Sequence, residues 1–185
     1  MKLLVHICCA PCSVYPVGTL QKEDIYFEGY FYNPNIHPAE EFQRRRENVE
    51  RFSDIKGFHV HYLDDTRQDL WEGFSGPGFE RCRMCYRMRL DKAASFAREK
   101  GFDAFTTTLL VSPYQKHDLI KELGREFEAK YGVEFFYRDF RPGFRQGQQQ
   151  AKELGLYRQK FCGCIVSLRE QSEAQNRKTV NKDGR

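Results

Sequence analysis

Residues 2–7 read Lys-Leu-Leu-Val-His-Ile, a short apolar run of the kind a strand buried on both faces needs. A helix over residues 11–21 follows. Residues 25–32 alternate and are rich in aromatics, predicting a second strand that ends at Asn33-Pro34-Asn35. Pro38 suits the first turn of a helix reaching about residue 55, with Phe42, Val49 and Phe52 on one face and Gly57 as its cap. A third strand is expected over 58–63 and a short helix over 68–74. The loop Ser75-Gly76-Pro77-Gly78 breaks the chain before a helix over about 80–100, stopped by Gly101.

Residues 104–110 read as a fourth strand, and Ser112-Pro113 as the cap and first turn of a helix with Ile120, Leu123 and Phe127 facing inward. After Gly132 come a fifth strand over 133–138 and a helix over 145–154. A last helix begins near Cys164. Residues 171–185 are polar and without apolar periodicity, so a frayed tail is expected. Strands alternating with helices mean an α/β fold: a single doubly wound catalytic domain over 1–170 with a mostly parallel five-stranded sheet, followed by a polar C-terminal tail over 171–185. In such sheets a ligand sits beyond the carboxyl ends of the strands, where the strand order reverses. An order of 3-2-1-4-5 puts the ends of strands one and four at that crevice.

Composition narrows the class. A chain of 185 residues with 16 Phe and 10 Tyr fills one core and is short for two. Thirty per cent charged residues and a negative mean hydropathy predict a polar surface. No apolar run approaches the roughly 20 residues needed to span a bilayer. The apolar start is too short for a signal peptide and lacks a cleavage pattern, so no membrane association and a cytoplasmic location are expected. There, clustered cysteines point to metal binding or catalysis more than to structural disulfides.

The seven cysteines occupy three knots: Cys8-Cys9-Ala10-Pro11-Cys12, Cys82-Arg83-Met84-Cys85 and Cys162-Gly163-Cys164. Thiols zero to two residues apart converge on one centre, as a metal or metal–sulfur cofactor requires. Seven exceed the four of a structural zinc site and suffice for a four-cysteine cubane with three sulfurs left over; soft thiolates also favour iron–sulfur over oxygen-loving ions. Cys8 and Cys9 can share a centre only where the backbone bends, since consecutive strand residues point to opposite faces, and Pro11 favours such a bend. The first knot lies where strand one ends, and the second at a helix start, where thiolates are favoured. Cys162 and Cys164 suit either a strained, reducible disulfide or a pair of ligands to a second metal.

The formal net charge of +4 says little by itself. Arg44-Arg45-Arg46 reads as a solvated helix face. Arg81, Arg83, Arg87 and Arg89 surround the second knot, and Arg138, Arg141 and Arg145 precede the third; positive charge there lowers thiol pKa and attracts a polyanion such as RNA. Ser112, Tyr114 and Gln115 after strand four, and Tyr32, Asn33 and Asn35 after strand two, stand where a polar ligand would be oriented, with Ser112 equally a helix cap. Tyr86 either meets substrate or packs. His6 reads as a satisfied core residue, and Asp64-Asp65 as a turn.

The strings His6-Ile7-Cys8-Cys9-Ala10-Pro11-Cys12, Arg81-Cys82-x-x-Cys85-Tyr86-x-x-Arg89-Leu90 and Phe161-Cys162-Gly163-Cys164 resemble the QueH family of epoxyqueuosine reductases, over residues 4 to about 170. The resemblance implies the adenine-nucleotide alpha-hydrolase-like (HUP) fold and reduction of epoxyqueuosine in tRNA to queuosine. It implies a [4Fe-4S] cluster on Cys8, Cys9, Cys82 and Cys85, with Cys162 and Cys164 as a redox-active pair and Cys12 beside an additional iron ion. Tyr86, Arg89, Ser112, Tyr114, Gln115 and Asn33 are then the expected substrate contacts. Arg81, Arg83, Arg87, Arg141 and Arg145 are the expected tRNA backbone contacts, and an electron donor is the second partner. Three rivals use some of the same residues: a cluster-dependent tRNA-thiolating enzyme, a zinc-stabilised RNA-binding module and a thiol–disulfide oxidoreductase. Against thiolation, the first loop carries cysteines where an ATP pyrophosphatase has a glycine-rich phosphate loop.

Overall fold

The strands are β1 (Leu3–His6), β2 (Phe27–Phe31), β3 (Val60–Tyr62), β4 (Ala104–Thr107) and β5 (Glu134–Phe135). They form one all-parallel sheet in the order β3-β2-β1-β4-β5. This is a computed structural model, and it describes residues 1–183, with side chains through Ala174. The helices are α1 (Ala10–Lys22), α2 (Ala39–Lys56), α3 (Gln68–Glu72), α4 (Gly78–Glu99), α5 (His117–Tyr131), α6 (Phe144–Glu153) and α7 (Ile165–Asp183). Among the described residues no helix is long and apolar enough to cross a membrane.

Strand periodicity divides the core into two layers. Leu4, Tyr30 and Phe105 meet Leu90, Ala93, Ala94 and Ala97 of α4 and Ile120, Leu123 and Phe127 of α5. Leu3, Val5, Phe27 and Phe31 meet Val14, Val17 and Leu20 of α1, Val49 and Phe52 of α2 and Ala151 of α6. Each fully buried Leu, Val or Phe contributes about 1.5–3 kcal/mol, so these layers fix the sheet and, with it, the strand ends. Gly57 closes α2 at φ 67, the left-handed geometry expected of a helix stop.

The differences from the sequence expectation concentrate near the strand ends. Strand four stops at Thr107, and residues Thr108–Val111 form a 3-10 turn instead. The Thr107 hydroxyl accepts from Leu109 N–H at 3.2 Å, while the turn buries the same leucines a strand would have buried. Ser112 starts a turn, not a helix: its Oγ accepts from Tyr114 N–H at 3.3 Å, and α5 begins only at His117. The fifth strand keeps two residues, Glu134 and Phe135, in register with Ala104 and Phe105. Helix α4 starts at Gly78, which puts Cys82 one turn inside it. Helix α7 continues through Asp183 where an aperiodic tail was expected; Glu, Gln, Ala, Arg and Lys favour helix without an apolar stripe. The last two residues of that expected tail, 184 and 185, lie outside the described residues.

Candidate metal centre and active site

All seven cysteines line one cavity of about 600 Å³, which also receives Asn35 from beyond β2 and Leu109 and Ser112 from beyond β4. This is the crevice where the strand order reverses between β1 and its neighbours.

The first knot is set by main chain. Strand β1 ends at His6, Cys8 lies in a bend, and Cys9 is the extended N-cap of α1 (φ −172°, ψ 161°) with Cys12 in its first turn. The bend brings the Cys8 and Cys9 sulfurs 3.8 Å apart, and all three sulfurs lie within 4.8 Å of one another. Cys8 N–H donates to Thr108 Oγ1 at 3.1 Å, and that hydroxyl donates to Cys8 Sγ at 3.2 Å. Gln159 Nε2 donates to Cys9 Sγ at 2.7 Å. Hydrogen bonds from Cys12 and Cys9 hold the Cys8 thiol well below its ordinary value, and the bonds of Cys12 to Cys8 and Cys9 push Cys12 well above it. Burial pushes Cys9 up to about 12. A metal bound to these three sulfurs would displace their protons. His6 bridges Thr107 Oγ1 and the Tyr32 carbonyl, and burial with the nearby Arg89 charge lowers it to about 4, so it is the satisfied core residue expected.

The second knot sits on one face of α4. Cys82 and Cys85 are one turn apart, and burial raises both thiols, Cys85 to about 11. Arg89 follows a turn later, only 4% exposed, with Nη2 donating to Cys85 Sγ at 3.1 Å and Nε to the Cys85 carbonyl at 3.2 Å. Burial works against this charge, and the sulfurs of Cys85 and Cys8 more than offset it. No carboxylate pairs with Arg89 among the described residues. A buried guanidinium without a carboxylate is tolerable only where other atoms carry the negative charge, and here those atoms are sulfur.

The third knot rides on a strap, residues 154–164, held by side chains of α2. Arg51 donates to the Leu154 and Gly155 carbonyls, and Asn48 exchanges two hydrogen bonds with the Tyr157 backbone at 3.0 Å each. Arg45 is 2% exposed, pairs with Glu41 at 2.7 Å, and donates to the Phe161 and Cys162 carbonyls at 3.1 and 3.2 Å. Tyr157 Oη donates to Glu41 from the strap side. His37 N–H donates to the Gly163 carbonyl at 2.8 Å, and His37 Nδ1 accepts from Ile165 N–H at 3.2 Å. Gly163 has φ +123°, and a Cβ there would lie 3.2 Å from Arg45, Asn35 and Ile36, so this hairpin needs glycine. Cys162 and Cys164 are free thiols with sulfurs 3.8 Å apart, Cys162 exposed and Cys164 buried. The hydrogen bond from Cys164 lowers Cys162 to about 5 and strongly raises Cys164. Trp71, Cys85 and Cys164 share one small buried cluster, which joins the second and third knots.

The remaining expected contacts divide. Tyr86, Arg89, Ser112, Tyr114, Gln115 and Arg81 line the cavity. Tyr86 Oη donates to Gln115 Oε1 at 2.7 Å and accepts from Lys116 N–H at 3.2 Å, which pins the loop after β4 to α4. Asn33 lies outside the cavity lining, fully buried, its amide donating to the Ile7 carbonyl. Arg83 and Arg87 leave the cavity altogether: both pair with α5, to Glu122 and Glu126, and Arg141 pairs with Asp139. Arg145 is exposed and off the cavity. Arg45, read as part of a solvated face, is buried. Sequence reasoning also passed over Gln159, Thr108 and Trp71; the one available signal was that Trp71 is the chain's single tryptophan.

Seven soft donors around one cavity, with Glu170 the only carboxylate in its wall among the described residues, suit a thiophilic metal or an iron–sulfur group and not a hard cation. The Cys8, Cys9 and Cys12 sulfurs form a ready three-thiol group for it.

The family model described as Epoxyqueuosine reductase QueH matches residues 3–170. A protein named epoxyqueuosine reductase QueH from Thermotoga maritima is 35% identical over 181 residues, covering 92% of each chain. One of the same name from Dehalococcoides mccartyi is 36% identical over 169 residues, covering 90% of this chain and 92% of its own. Among solved structures, a predicted subunit of a tRNA methyltransferase from Methanocaldococcus jannaschii superposes with a TM-score of 0.56 at 14% identity, over 83% of this chain and 75% of that one. The zinc-inhibited form of teicoplanin deacetylase Orf2 gives 0.52 at 10% identity, over 83% of each chain. At such identities these two likenesses concern the fold alone.

Proposed function

The chain belongs to the epoxyqueuosine reductase QueH family, and on that premise we propose that it reduces epoxyqueuosine in tRNA to queuosine inside the thiol-lined cavity. It is an oxidoreductase of queuosine biosynthesis. The observation that carries the site assignment is the convergence of three distant cysteine knots on one cavity beside a buried arginine that donates to the Cys85 sulfur and has no carboxylate partner among the described residues. Cys8, Cys9, Cys82 and Cys85 would hold a [4Fe-4S] cluster, with Arg89 balancing its thiolate charge. A second ligand assignment has its own support, because Cys12 shares the 4.8 Å sulfur group with Cys8 and Cys9. When bound, the cluster supplies single-electron transfer, and an additional iron beside Cys12 supplies a Lewis acid for the epoxide oxygen.

The chain's own residues account for the rest of the balance. Loss of an epoxide oxygen as water takes two electrons and two protons. Oxidation of the Cys162 and Cys164 thiols to a disulfide releases two electrons and two protons, and an external electron donor restores the dithiol. Cys162 is the exposed member, so in the disulfide its sulfur is the one an external donor would reach, while Cys164 lies buried against α7, its sulfur accepting from Ser167 N–H. Tyr86 holds the substrate-side loop in place through Gln115 and Lys116. A cytoplasmic location with the tRNA pool accords with this chemistry.

The test is anaerobic reconstitution with iron and sulfide, then incubation with tRNA carrying epoxyqueuosine and a chemical reductant. Nucleoside mass spectrometry should show loss of one oxygen, with about four irons per chain and a broad visible absorption. Sulfur insertion with ATP consumption would assign the thiolation chemistry instead, and stoichiometric zinc without colour would assign a zinc module.

A further inference from the structure

The wall of the cavity carries six cations, Arg45, Arg81, Arg89, Lys116, Arg158 and Lys160, against one carboxylate, Glu170, among the described residues. Three are engaged: Arg45 with Glu41, Arg89 with Cys85, and Arg81 with Glu170 at 3.2 Å. The other three, Lys116, Arg158 and Lys160, are exposed, and none has a carboxylate within ion-pair distance among the described residues. Beside them stands Tyr114, 82% exposed, resting edge-on against Phe144 at 5.8 Å. Lys116 in turn lies 5.4 Å over the ring of Phe79, which is 48% exposed.

This rim differs from the arginine rows that the sequence suggested. Arg83, Arg87 and Arg141 are neutralised by neighbouring carboxylates and face away from the cavity, so their charge is largely unavailable to a partner. Among the described residues the rim cations have no such carboxylate, and they line the cavity. They also stand on both of its walls. Lys116 and Tyr114 belong to the loop after β4, anchored through Tyr86 and Ser112. Arg158 and Lys160 belong to the strap, anchored through Tyr157 to α2 and through the Lys160 carbonyl to Gln171.

Unpaired cations interleaved with an exposed aromatic are what a flexible single strand needs: charge for phosphates and a ring face for an unstacked base. A duplex would offer phosphates but no free base face. A cavity of about 600 Å³ is the size for one small ligand, so a target nucleotide must enter it while its neighbours stay outside.

We propose that Tyr114, Lys116, Arg158 and Lys160 form the docking rim for the single-stranded RNA loop that carries the target nucleotide. Tyr114 stacks on a base adjacent to the target, and the three cations hold the phosphates on either side. The assignment rests on the reading that the substrate is tRNA, and it names the residues that receive the strand.

The experiment is fluorescence anisotropy of a labelled RNA stem-loop, and of the closed duplex of the same stem, titrated with reconstituted enzyme at several salt concentrations. Wild-type enzyme should prefer the stem-loop, with affinity that falls as salt rises. Tyr114→Ala should weaken stem-loop binding about tenfold, the order of one base stack, and leave the salt slope unchanged. Replacing Lys116, Arg158 and Lys160 together by glutamine should flatten the salt slope by about 2, near 0.7 for each single-strand phosphate that no longer meets a cation. These side chains are exposed, so circular dichroism should match wild type and certify the fold. Wild-type binding that none of these variants alters, or that follows Arg83→Gln and Arg87→Gln instead, overturns the rim. A wild-type enzyme that binds no RNA while retaining its iron would fail the tRNA reading itself.

Discussion

The first and third cysteine knots present sulfurs at the same spacing, 3.8 Å between Cys8 and Cys9 and 3.8 Å between Cys162 and Cys164, yet they are held in opposite ways. The first hangs from the main chain of β1 and α1, elements clamped on both faces by the apolar layers. The third depends on polar side chains of α2 and on His37, more than 100 residues earlier in the chain. A centre fixed by sheet geometry suits a rigid metal group. A hairpin tethered by removable hydrogen bonds, with one thiol exposed, suits exchange with an external donor.

The largest expected effect separates the two knots by composition. After anaerobic reconstitution, Cys9→Ser should lose both bound iron and turnover, whereas Cys162→Ser should keep its iron and lose turnover. Iron analysis beside the nucleoside assay checks this; iron lost from both variants would make the third knot a ligand, and full turnover by Cys162→Ser would remove the dithiol from the reaction.

Stability should then separate them by how they are anchored. Arg45→Ala leaves Glu41 buried without its cation and unties the Phe161 and Cys162 carbonyls, so a loss of about 3–5 kcal/mol is expected in urea unfolding. Thr108→Val, the nearest equivalent at the first knot, should lose only about 1 kcal/mol, because the strand end persists without the hydroxyl. Equal losses would abolish the distinction.

The smallest effect concerns pH. His37 accepts from Ile165 N–H through Nδ1 and donates from Nε2 to the Pro34 carbonyl, an arrangement only the neutral ring can make. Burial lowers its pKa below 6.5. Between that lowered value and 6.5 the unfolded chain binds more protons, so this contribution is full above 6.5 and declines as pH falls below it. Hydrogen exchange at Ile165, corrected for the intrinsic rate, should therefore show less protection at about pH 5 than at about pH 7.5, and His37→Gln should flatten the difference. Protection that does not change with pH would exclude His37 as a tether.

Much of the architecture was legible along the chain. Apolar runs, glycine stops and the alternation of strand and helix predicted five strands and an order that right-handed crossovers allow, and the cysteine spacing marked the chemistry. The bend after β1 that brings Cys8 and Cys9 together was also foreseeable from Pro11. Residues 108–116 were not: Leu109–Val111 is apolar whether it forms a strand or a 3-10 turn, and the Ser112 hydroxyl caps a turn as readily as a helix.

The sequence by itself determined the fold class, the family resemblance and the set of sulfurs, because these depend on local periodicity and spacing. Only the tertiary structure decided which charges are available. Arg45 and Arg46 are neighbours in one basic run, yet one is buried beneath the third knot and the other pairs at the surface with Glu50 and Asp64. Arg83 and Lys116 are both cations near a knot, yet Arg83 pairs with Glu122 off the cavity while Lys116 lines it with no carboxylate partner among the described residues. A side chain's partner is set by which helix face packs against which, and that is a property of the folded chain, not of the order of its residues.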